Sequence, residues 1–571
     1  MRRCFLRAAL GATLLALLCG GLVFTPAFAQ DDPAAVSEDP NAAGIEPAGQ
    51  QAATPSGAAE TPAAAEPASE PAAAPAGDTA QPSAETQTAA PADMAAPPPE
   101  ATPIVASIRA KLQDATLVKG ATAEEMAALT AFYGARSDPV WMTDMGFSSE
   151  AQAVIDEVLR ADDWGLSSTA FDLPSAGDLP DSVDEQANGE IKLDIAILKY
   201  ARYARGGRTD PAKLNKLFGM TPSLRDPKIV MEETAAAEAP AAYLQSLHPK
   251  HEQFKRLHEA LLKARAEAEA GAKPANLQRI VVNMERWRWV PEDLGSLYVL
   301  LNIPAFTVRV VKDGQTVYTD KIVVGELKYA TPVFTADLKS VVFNPEWTVP
   351  PTIVRENLLP QLRGGGGLFG SNTAILQQHE LNVNYNGKRV DPGSIDWNHV
   401  NMGAISFTQA PGPNNVLGKV KFVYPNPYSV YMHDTIKQGL FDKAMRAEGH
   451  NCPRVGNPAK IAAVVLAADQ NMPQTEIDKL LASGYNSAVN ITHRVRMVTS
   501  YFTATVDDQG KVETFADVYK LDGPVAAAIL GKVVPPEAVA DNEEAKPAAP
   551  APPPKKDAST PFTPGIGGAV P

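Results

Sequence analysis

The chain has 571 residues and a formal net charge of −15, with 8 histidines and 3 cysteines. This length allows more than one domain without fixing how many. The acidic balance argues against a nucleic-acid-binding face, which would be basic, and it indicates little else beyond solubility.

The N-terminus has the features of a secretory signal peptide. A positively charged start precedes an apolar run and a small-residue cleavage site, formed in turn by Arg2, Arg3 and Arg7, by residues 8–24, and by Ala27-Phe28-Ala29. These features predict an exported protein from which residues 1–29 are removed. The apolar run is also near the lower length limit of a membrane-spanning helix, so an uncleaved anchor is the alternative. Because no other stretch is as long and apolar, we expect no stable membrane span after cleavage.

Two segments have a composition that is typical of disorder. Residues 30–103 and 535–571 are rich in alanine and proline and contain few aromatic side chains. Such segments bury too little apolar surface to offset the entropy lost on ordering. We therefore predict a disordered N-terminal linker and a disordered C-terminal tail.

Residues 104–275 have helical periodicity. One segment repeats apolar residues at helical spacing after the N-cap candidates Ser148 and Ser149, and another amphipathic segment ends at Gly206-Gly207. None of these segments carries a cluster of catalytic residue types. The pattern predicts a helical scaffold domain.

From about Ser296 the pattern changes to strand alternation, which predicts a mainly β domain over residues 276–534. The run "LYVLLNIPAFTVRVVKDGQTVYTDKIVVG" breaks at Asp313-Gly314, a hairpin signal. Two helices interrupt the strands, and the second has Thr475 in a capping-box position. Residues 352–409 are glycine-rich and weakly patterned, which we interpret as a long insertion forming a lid. The predicted fold class is α+β with several domains.

The motif "AEGHNCPRV" contains Cys452, which is the single cysteine left once the signal peptide is removed. His450 and Arg454 lie two residues to either side, and His433 ends a predicted strand upstream. A neighbouring base or cation turns a thiol into a nucleophile, so the spacing is compatible with acyl transfer on a peptide. A buried, inert cysteine fits the same residues. A structural zinc site is disfavoured because it needs three or four ligands and only one thiolate is available.

The pair "VYMHDT" and "GHNCPRV" resembles the catalytic signature of the L,D-transpeptidase (YkuD-type) family. Further stretches, "NMERWRWVPEDLG", "VVFNPEWTVPPTI" and "FADVYKLDG", resemble the large YcbB-like subgroup, in which a helical scaffold precedes the catalytic domain. The similarity covers most of the chain from Thr130 to Asp522. It implies a periplasmic enzyme that acts on peptidoglycan stem peptides without a metal or cofactor.

The resemblance also implies a role for each motif residue. Cys452 attacks the carbonyl after the third stem-peptide residue, releases the terminal D-alanine, and passes the acyl group to an amine to form a 3→3 crosslink. The same acyl-enzyme would serve attachment of a protein to peptidoglycan, or hydrolysis. His433 is then the general base and ion-pair partner, and His450 assists it. Arg454 binds a substrate carboxylate or braces the loop, while N–H groups near Asn451 and Cys452 stabilise the oxyanion. Cell-wall synthesis proteins are a further class of partner that the resemblance allows.

Three positions depart from the family signature: Gly449 replaces Ser or Thr, Asn451 replaces Gly, and Pro453 follows the nucleophile. These changes leave a second hypothesis open, namely a degenerate member that binds peptidoglycan or a cell-wall synthesis partner without chemistry. If the altered site is active, we expect Asn451 to adopt a positive-φ or bridge-like conformation, which Asn tolerates better than most residues.

Other polar and aromatic residues have structural interpretations. We expect Trp287, Trp289 and Trp347 to pack rather than to stack on sugars. We expect His248, His251 and His258 to lie on a solvated helix and to bind no metal. Asp434 follows His433 on a strand, so its carboxylate is expected to point away from the imidazole.

Overall fold

The computed structural model describes residues 100–113, 120–174, 182–274, 276–364 and 373–531. The predicted signal peptide, nearly all of the linker and the C-terminal tail lie outside these residues. Within them, a helical part precedes a mainly β part, which confirms the predicted α+β class.

The helical part contains α1–α9 and a short hairpin. The helices are α1 Pro103–Lys111, α2 Ala123–Gly134, α3 Ser149–Leu159, α4 Val183–Gly206, α5 Pro211–Leu214, α6 Pro227–Ala236, α7 Pro240–Ser246, α8 Glu252–Glu269 and α9 Leu277–Trp289, and the hairpin strands are β1 Met142–Thr143 and β2 Gly146–Phe147. The Ser148 side chain accepts a hydrogen bond from Ala151 N–H (3.1 Å) and caps α3 as predicted. Gly207 ends α4 with a φ of 85°.

The β part is built on one large sheet. Its strands are β3 Leu297–Asn302, β4 Thr307–Lys312, β5 Gln315–Gly325, β6 Phe334–Asp337, β7 Ser340–Phe343, β12 Val420–Val423, β13 Met432–His433, β14 Ala447–Gly449, β15 Arg454–Val455, β16 Ser487–Asn490 and β17 Arg496–Ser500. The strand order is β16-β7-β12-β13-β15-β5-β4-β3-β17-β6, with β14 also beside β5. Helices α13 Pro458–Gln470, α14 Gln474–Ser483 and α15 Asp522–Leu530 and a hairpin of β18 Ala504–Val506 and β19 Val512–Thr514 complete this part.

The predicted turn at Asp313-Gly314 joins β4 to β5. Lys312 pairs with Gln315, and both turn residues have positive φ, 50° and 77°. Two consecutive positive-φ residues are typical of a type I′ turn, whose twist matches the flanking strands. The hairpin prediction is confirmed.

Between β7 and β12 the chain forms a small folded unit with its own core. Strands β8 Trp347–Thr348, β9 Leu381–Tyr385, β10 Lys388–Val390 and β11 Ile405–Gln409 form a sheet in the order β10-β9-β11-β8, accompanied by α10 Pro351–Ile353, a π-helical turn Val354–Leu358, α11 Leu359–Gly364 and α12 Ala374–Gln378. Trp397 and Phe407 are fully buried in its core. We call this unit, residues 347–364 and 373–409, the cap.

Helix α9 joins the helical part to the sheet. Its Asn283 side chain accepts a hydrogen bond from Thr503 N–H (2.9 Å) and donates one to the Thr503 hydroxyl (3.0 Å). Trp287 stacks on Phe502 with ring centroids 4.3 Å apart, and Trp289 is 1% exposed. The packing prediction for these two tryptophans is confirmed.

The histidines predicted to lie on a solvated helix are instead packed against aromatic rings. Trp164 stacks between His248 (4.2 Å between centroids) and His258 (3.9 Å). The buried His248 ring also contacts the Tyr200 hydroxyl at 3.1 Å, and burial lowers its pKa. The prediction was wrong because the stacking partner, Trp164, lies more than 80 residues away in sequence and does not show in the local helical pattern.

Candidate active site

Three neighbouring strands position the histidine of the "MHD" motif. His433 lies on β13, opposite Lys421 of β12 and beside Arg454 of β15. Its N–H donates to Pro453 C=O at 3.1 Å, which ties β13 to the cysteine-bearing loop. Since His433 is only 6% exposed and lies between strands on both sides, its backbone is held rigidly.

The hydrogen bonds of His433 fix its tautomer. Nδ1 lies 2.5 Å from the backbone oxygen of Asp434. A carbonyl oxygen can only accept, so Nδ1 carries the proton and Nε2 of the neutral ring has a free lone pair. The Asp434 carboxylate instead accepts from the N–H groups of Lys419 (2.8 Å) and Thr435 (2.7 Å), as the strand geometry predicted. A backbone carbonyl, not an acidic side chain, therefore orients the imidazole.

The loop of residues 450–453 connects β14 to β15 and carries Cys452. Both strands pair with β5, so the loop lies at the end of that strand. The buried Thr331 hydroxyl donates to Asn451 C=O (2.8 Å) and accepts from Gly325 N–H (2.9 Å). Within the described residues, the N–H groups of Asn451 and Cys452 have no acceptor. Two donors next to the sulfur are therefore free to bind a developing oxyanion.

The nucleophile candidate and the base candidate are both uncharged at rest. The Cys452 side chain is partly accessible, but its surroundings are mostly protein, and this burial raises its pKa to about 11. Burial first, and the cations of Arg454 and Lys421 next, lower the pKa of His433 to about 3. Among the described contacts, no hydrogen bond joins the thiol to the imidazole. The directions of these two pKa shifts favour a neutral Cys452 thiol and a neutral His433 imidazole over a resting ion pair.

His450 is held by a different kind of contact. Its ring stacks on Tyr329 with centroids 4.1 Å apart and planes 25° apart. The Tyr329 hydroxyl donates to the Glu356 carboxylate, which lies on the π-helical turn of the cap. Burial first, then Arg454, lowers the pKa of the half-buried His450. We call the contact of Glu356, Tyr329 and His450 the clasp; it links the cap to the cysteine loop.

Arg454 occupies space that the family's Ser or Thr side chain would use. A Cβ atom built on Gly449 would lie 3.0 Å from Arg454 Nη1 and 3.2 Å from the carbonyl oxygen of Val324. The absence of a side chain at Gly449 therefore lets the guanidinium lie against the loop. This placement suits the loop-bracing role, while substrate binding by Arg454 stays a prediction.

The positive-φ half of the expectation for Asn451 was wrong, and the bridge-like alternative stays a prediction. Asn451 is not among the positive-φ residues of the described chain, and its carbonyl is instead held by Thr331. A loop anchored through this carbonyl does not require the left-handed conformation at Asn451.

Sequence reasoning missed four further residues, of which two lie near Cys452 and two belong to the clasp. Lys421 lies with its Nζ 4.0 Å from the ring centroid of Tyr431, and Tyr431 directs its backbone N–H towards the Cys452 sulfur. Trp347 of the cap contacts the Tyr431 hydroxyl, so this tryptophan does more than pack. The residues are Lys421, Tyr431, Tyr329 and Glu356. The strand alternation of "KVKFVY" and "YSVYMHD" was visible, but the pairing register was not.

Comparison with known families agrees with this arrangement. Residues 296–475 match the L,D-transpeptidase catalytic domain, YkuD. This part of the chain is an L,D-transpeptidase domain. Residues 127–261 match the family described as a scaffold domain. A scaffold followed by an L,D-transpeptidase domain is consistent with the YcbB-like subgroup.

A curated relative carries the same family name. The chain is 29% identical over 259 residues to the Haemophilus influenzae protein "Putative L,D-transpeptidase". The match covers 45% of this chain and 51% of the relative, so the chain spans about half the length of the curated protein it matches.

The described residues contain neither a cluster of metal-ligating side chains nor a helix with the length and apolar character to cross a bilayer.

Proposed function

We propose that this protein is a cysteine-dependent L,D-transpeptidase that acts on peptidoglycan stem peptides. Cys452 Sγ attacks the carbonyl carbon after the third residue of a tetrapeptide stem, and the terminal D-alanine leaves. The thioester then passes to an amine of a second stem and forms a 3→3 crosslink. The observation that carries the proposal has two parts. The accessible thiol lies one residue before Pro453, whose carbonyl accepts from the backbone N–H of His433, and the Nδ1 proton of that buried imidazole is already bound by a carbonyl.

Proton transfer follows from the tautomer of His433. The ring accepts the thiol proton at Nε2 as sulfur attacks and later gives it to the departing amine. Because the pKa of Cys452 is raised to about 11 and that of His433 is lowered to about 3, little thiolate exists before substrate binds. His433 therefore acts as a general base during attack rather than as a standing ion-pair partner.

The loop supplies the electrostatic part of the mechanism. The free N–H groups of Asn451 and Cys452 are suited to bind the oxyanion, whereas Pro453 has no N–H to offer. Each such donor typically contributes about 10²–10³ in rate. Arg454 braces the loop or binds a substrate carboxylate, and His450 helps to hold the substrate side of the loop.

The reaction as written uses no metal or cofactor. We further propose that the protein works in the periplasm, on the basis of the signal-peptide features in residues 1–29. Attachment of a protein to peptidoglycan would use the same thioester with a different amine. Hydrolysis would use water in its place.

The test is incubation of the purified protein with a muropeptide tetrapeptide, followed by mass spectrometry of the protein and the products. We expect a single thioester adduct on Cys452, release of D-alanine and 3→3 crosslinked dimers. Cys452→Ala should lose the adduct and all products. An adduct that yields only tripeptide would indicate hydrolysis, and binding without any adduct would support the degenerate-binder hypothesis.

A further inference from the structure

A lysine lies directly opposite the proposed general base in the sheet. Lys421 on β12 faces His433 on β13 in the strand register, and directly opposed residues share one face of the sheet. Its Nζ lies 4.0 Å from the ring centroid of Tyr431, two residues before His433. The backbone N–H of Tyr431 is directed at the Cys452 sulfur. Tyr431 therefore interacts with the ammonium through its ring and with the thiol through its backbone N–H.

Lys421 has no acidic partner among the described residues. Burial lowers its pKa, and the group that favours its charged form is Cys452. A half-buried cation without a carboxylate loses hydration without full compensation. Such a charge destabilises the resting fold, and unpaired charges of this kind concentrate at functional sites.

The charge of Lys421 in turn affects the pKa of Cys452. Burial raises the pKa of Cys452, whereas the N–H of Tyr431, then Lys421, then Arg454 lower it. Arg454 is already placed against Gly449, at the other side of the loop. Apart from its contact with the Tyr431 ring, Lys421 is therefore the cation near the sulfur whose charge has no other assignment.

We propose that Lys421 stabilises the negative charge that develops on Cys452 Sγ while His433 removes the thiol proton. This role deepens the proposed function and rests on it. The S–H proton moves to His433 Nε2, the sulfur lone pair forms the S–C bond, and the C–N bond to D-alanine breaks as the imidazolium returns the proton. Lys421 keeps its own protons throughout and acts through its charge.

The charged and titratable groups around Cys452 come from every strand packed against it. They are Lys421 on β12, Tyr424 just after it, Tyr431 and His433 on or beside β13, and Arg454 on β15. The two tyrosine hydroxyls have raised pKa values because of burial first and Cys452 second, so they stay neutral across the range of the test. Removing Lys421 thus leaves Arg454 as the remaining cation near the sulfur.

The test is the pH dependence of Cys452 alkylation by iodoacetamide in the full chain, quantified on the Cys452 peptide between about pH 6.5 and 9.5. Lys421→Met should react about threefold or more slowly at each pH, because a rise of one pKa unit removes about nine-tenths of the thiolate while the remaining thiolate gains some nucleophilicity. Lys421→Arg should restore most of the rate. Lys419→Met, on an exposed lysine two residues earlier, is the matched control and should leave the profile unchanged.

Stability separates this role from a structural one. Because the half-buried ammonium has no carboxylate partner among the described residues, Lys421→Met should keep or raise the urea midpoint while it lowers thiol reactivity. If Lys421→Met alkylates like the wild type, or if the Met and Arg variants lose reactivity and stability together, the proposal is overturned. Alkylation requires no transpeptidation, so a shifted profile in a protein that makes no crosslinks would sustain the charge effect and refute only the proposed function.

Discussion

The two histidines near Cys452 are held in opposite ways. His433 lies on a buried strand between β12 and β15, with its Nδ1 proton fixed by a backbone carbonyl. His450 lies in a loop and is positioned by the stack on Tyr329, which in turn depends on Glu356 of the cap. The His433 residue is held by the sheet, whereas the position of the His450 ring depends on a contact with the cap.

This difference assigns different roles to the two rings. A general base must hold its lone pair in one direction, which the backbone of a central strand does well. A residue held by a part-exposed aromatic stack can shift with the cap and adapts to a bulky peptide. We therefore infer that His433 performs proton transfer and that His450 couples substrate or cap position to the loop.

The largest expected effect separates the two histidines directly. His433→Gln should slow acylation of Cys452 by a carbapenem by about 10³-fold, within the range typical of a lost general base. His450→Gln should slow it by about tenfold or less, since its ring is assigned no proton transfer. The measurement is time-resolved mass spectrometry of the protein adduct, and equal losses in the two variants would contradict the assignment.

The anchor of the loop can be broken without touching either ring. Thr331→Val keeps the shape of a fully buried side chain but leaves Gly325 N–H and Asn451 C=O without their partner. We expect a loss of about 2 kcal/mol in the free energy of unfolding, together with slower acylation. Urea titration gives the first quantity, and Thr335→Val on β6 is the control. An unchanged unfolding free energy would show that the anchor is not needed.

The pH dependence of the unfolding free energy also distinguishes His433 from His450. The unfolded chain protonates each histidine near pH 6.5, whereas folded His433 binds a proton only near pH 3, so the unfolded state holds more protons in that window. Stability is therefore full above pH 6.5 and falls as the pH decreases, by about 1 kcal/mol from this residue between pH 7 and 5.5. His433→Gln should flatten the pH dependence of the urea midpoint more than His450→Gln does. The reverse order would mean that His450 is the more buried ring in solution.

The smallest expected effects on the acylation rate come from substitutions in the clasp. Tyr329→Phe keeps the ring on His450 but loses the hydrogen bond to Glu356, and Glu356→Gln weakens the same bond. Each should slow acylation about threefold, whereas Tyr329→Ala, which also removes the stack, should slow it about tenfold. Time-resolved mass spectrometry of the carbapenem adduct on each variant checks this order. If Tyr329→Phe is as slow as Tyr329→Ala, the hydrogen bond rather than the stack positions the loop.

Much of the fold could be predicted because its signals are local. The Asp313-Gly314 turn, the Ser148 cap and the glycine end of α4 each depend on one or two residues with special backbone preferences. The capping box proposed at Thr475 was wrong: α14 begins at Gln474 after Pro473, and no side chain caps it. Proline fixes the backbone entering the helix, so the N-cap position lies at Pro473, two residues before Thr475.

The cap and the site depend on contacts that the local pattern does not contain. The sequence predicts only a weakly patterned insertion in the cap. In the structure, short strands that lie far apart in sequence pair with each other there, such as β8 with β11. The motif indicated Cys452 and His433, but Lys421 joins them only through the register of β12 and β13. Asn451 was misjudged because its anchor, Thr331, lies 120 residues away.

The protonation state of His433 tests the central claim most directly. Nitrogen-15 NMR of histidine-labelled protein, with His433→Gln used for assignment, reports which ring nitrogen carries a proton. We expect a neutral ring protonated at Nδ1 from about pH 8 down to about pH 4, since the pKa of His433 is lowered to about 3 by burial and by nearby cations. An imidazolium signal at pH 7, or a neutral ring protonated at Nε2, would contradict the account.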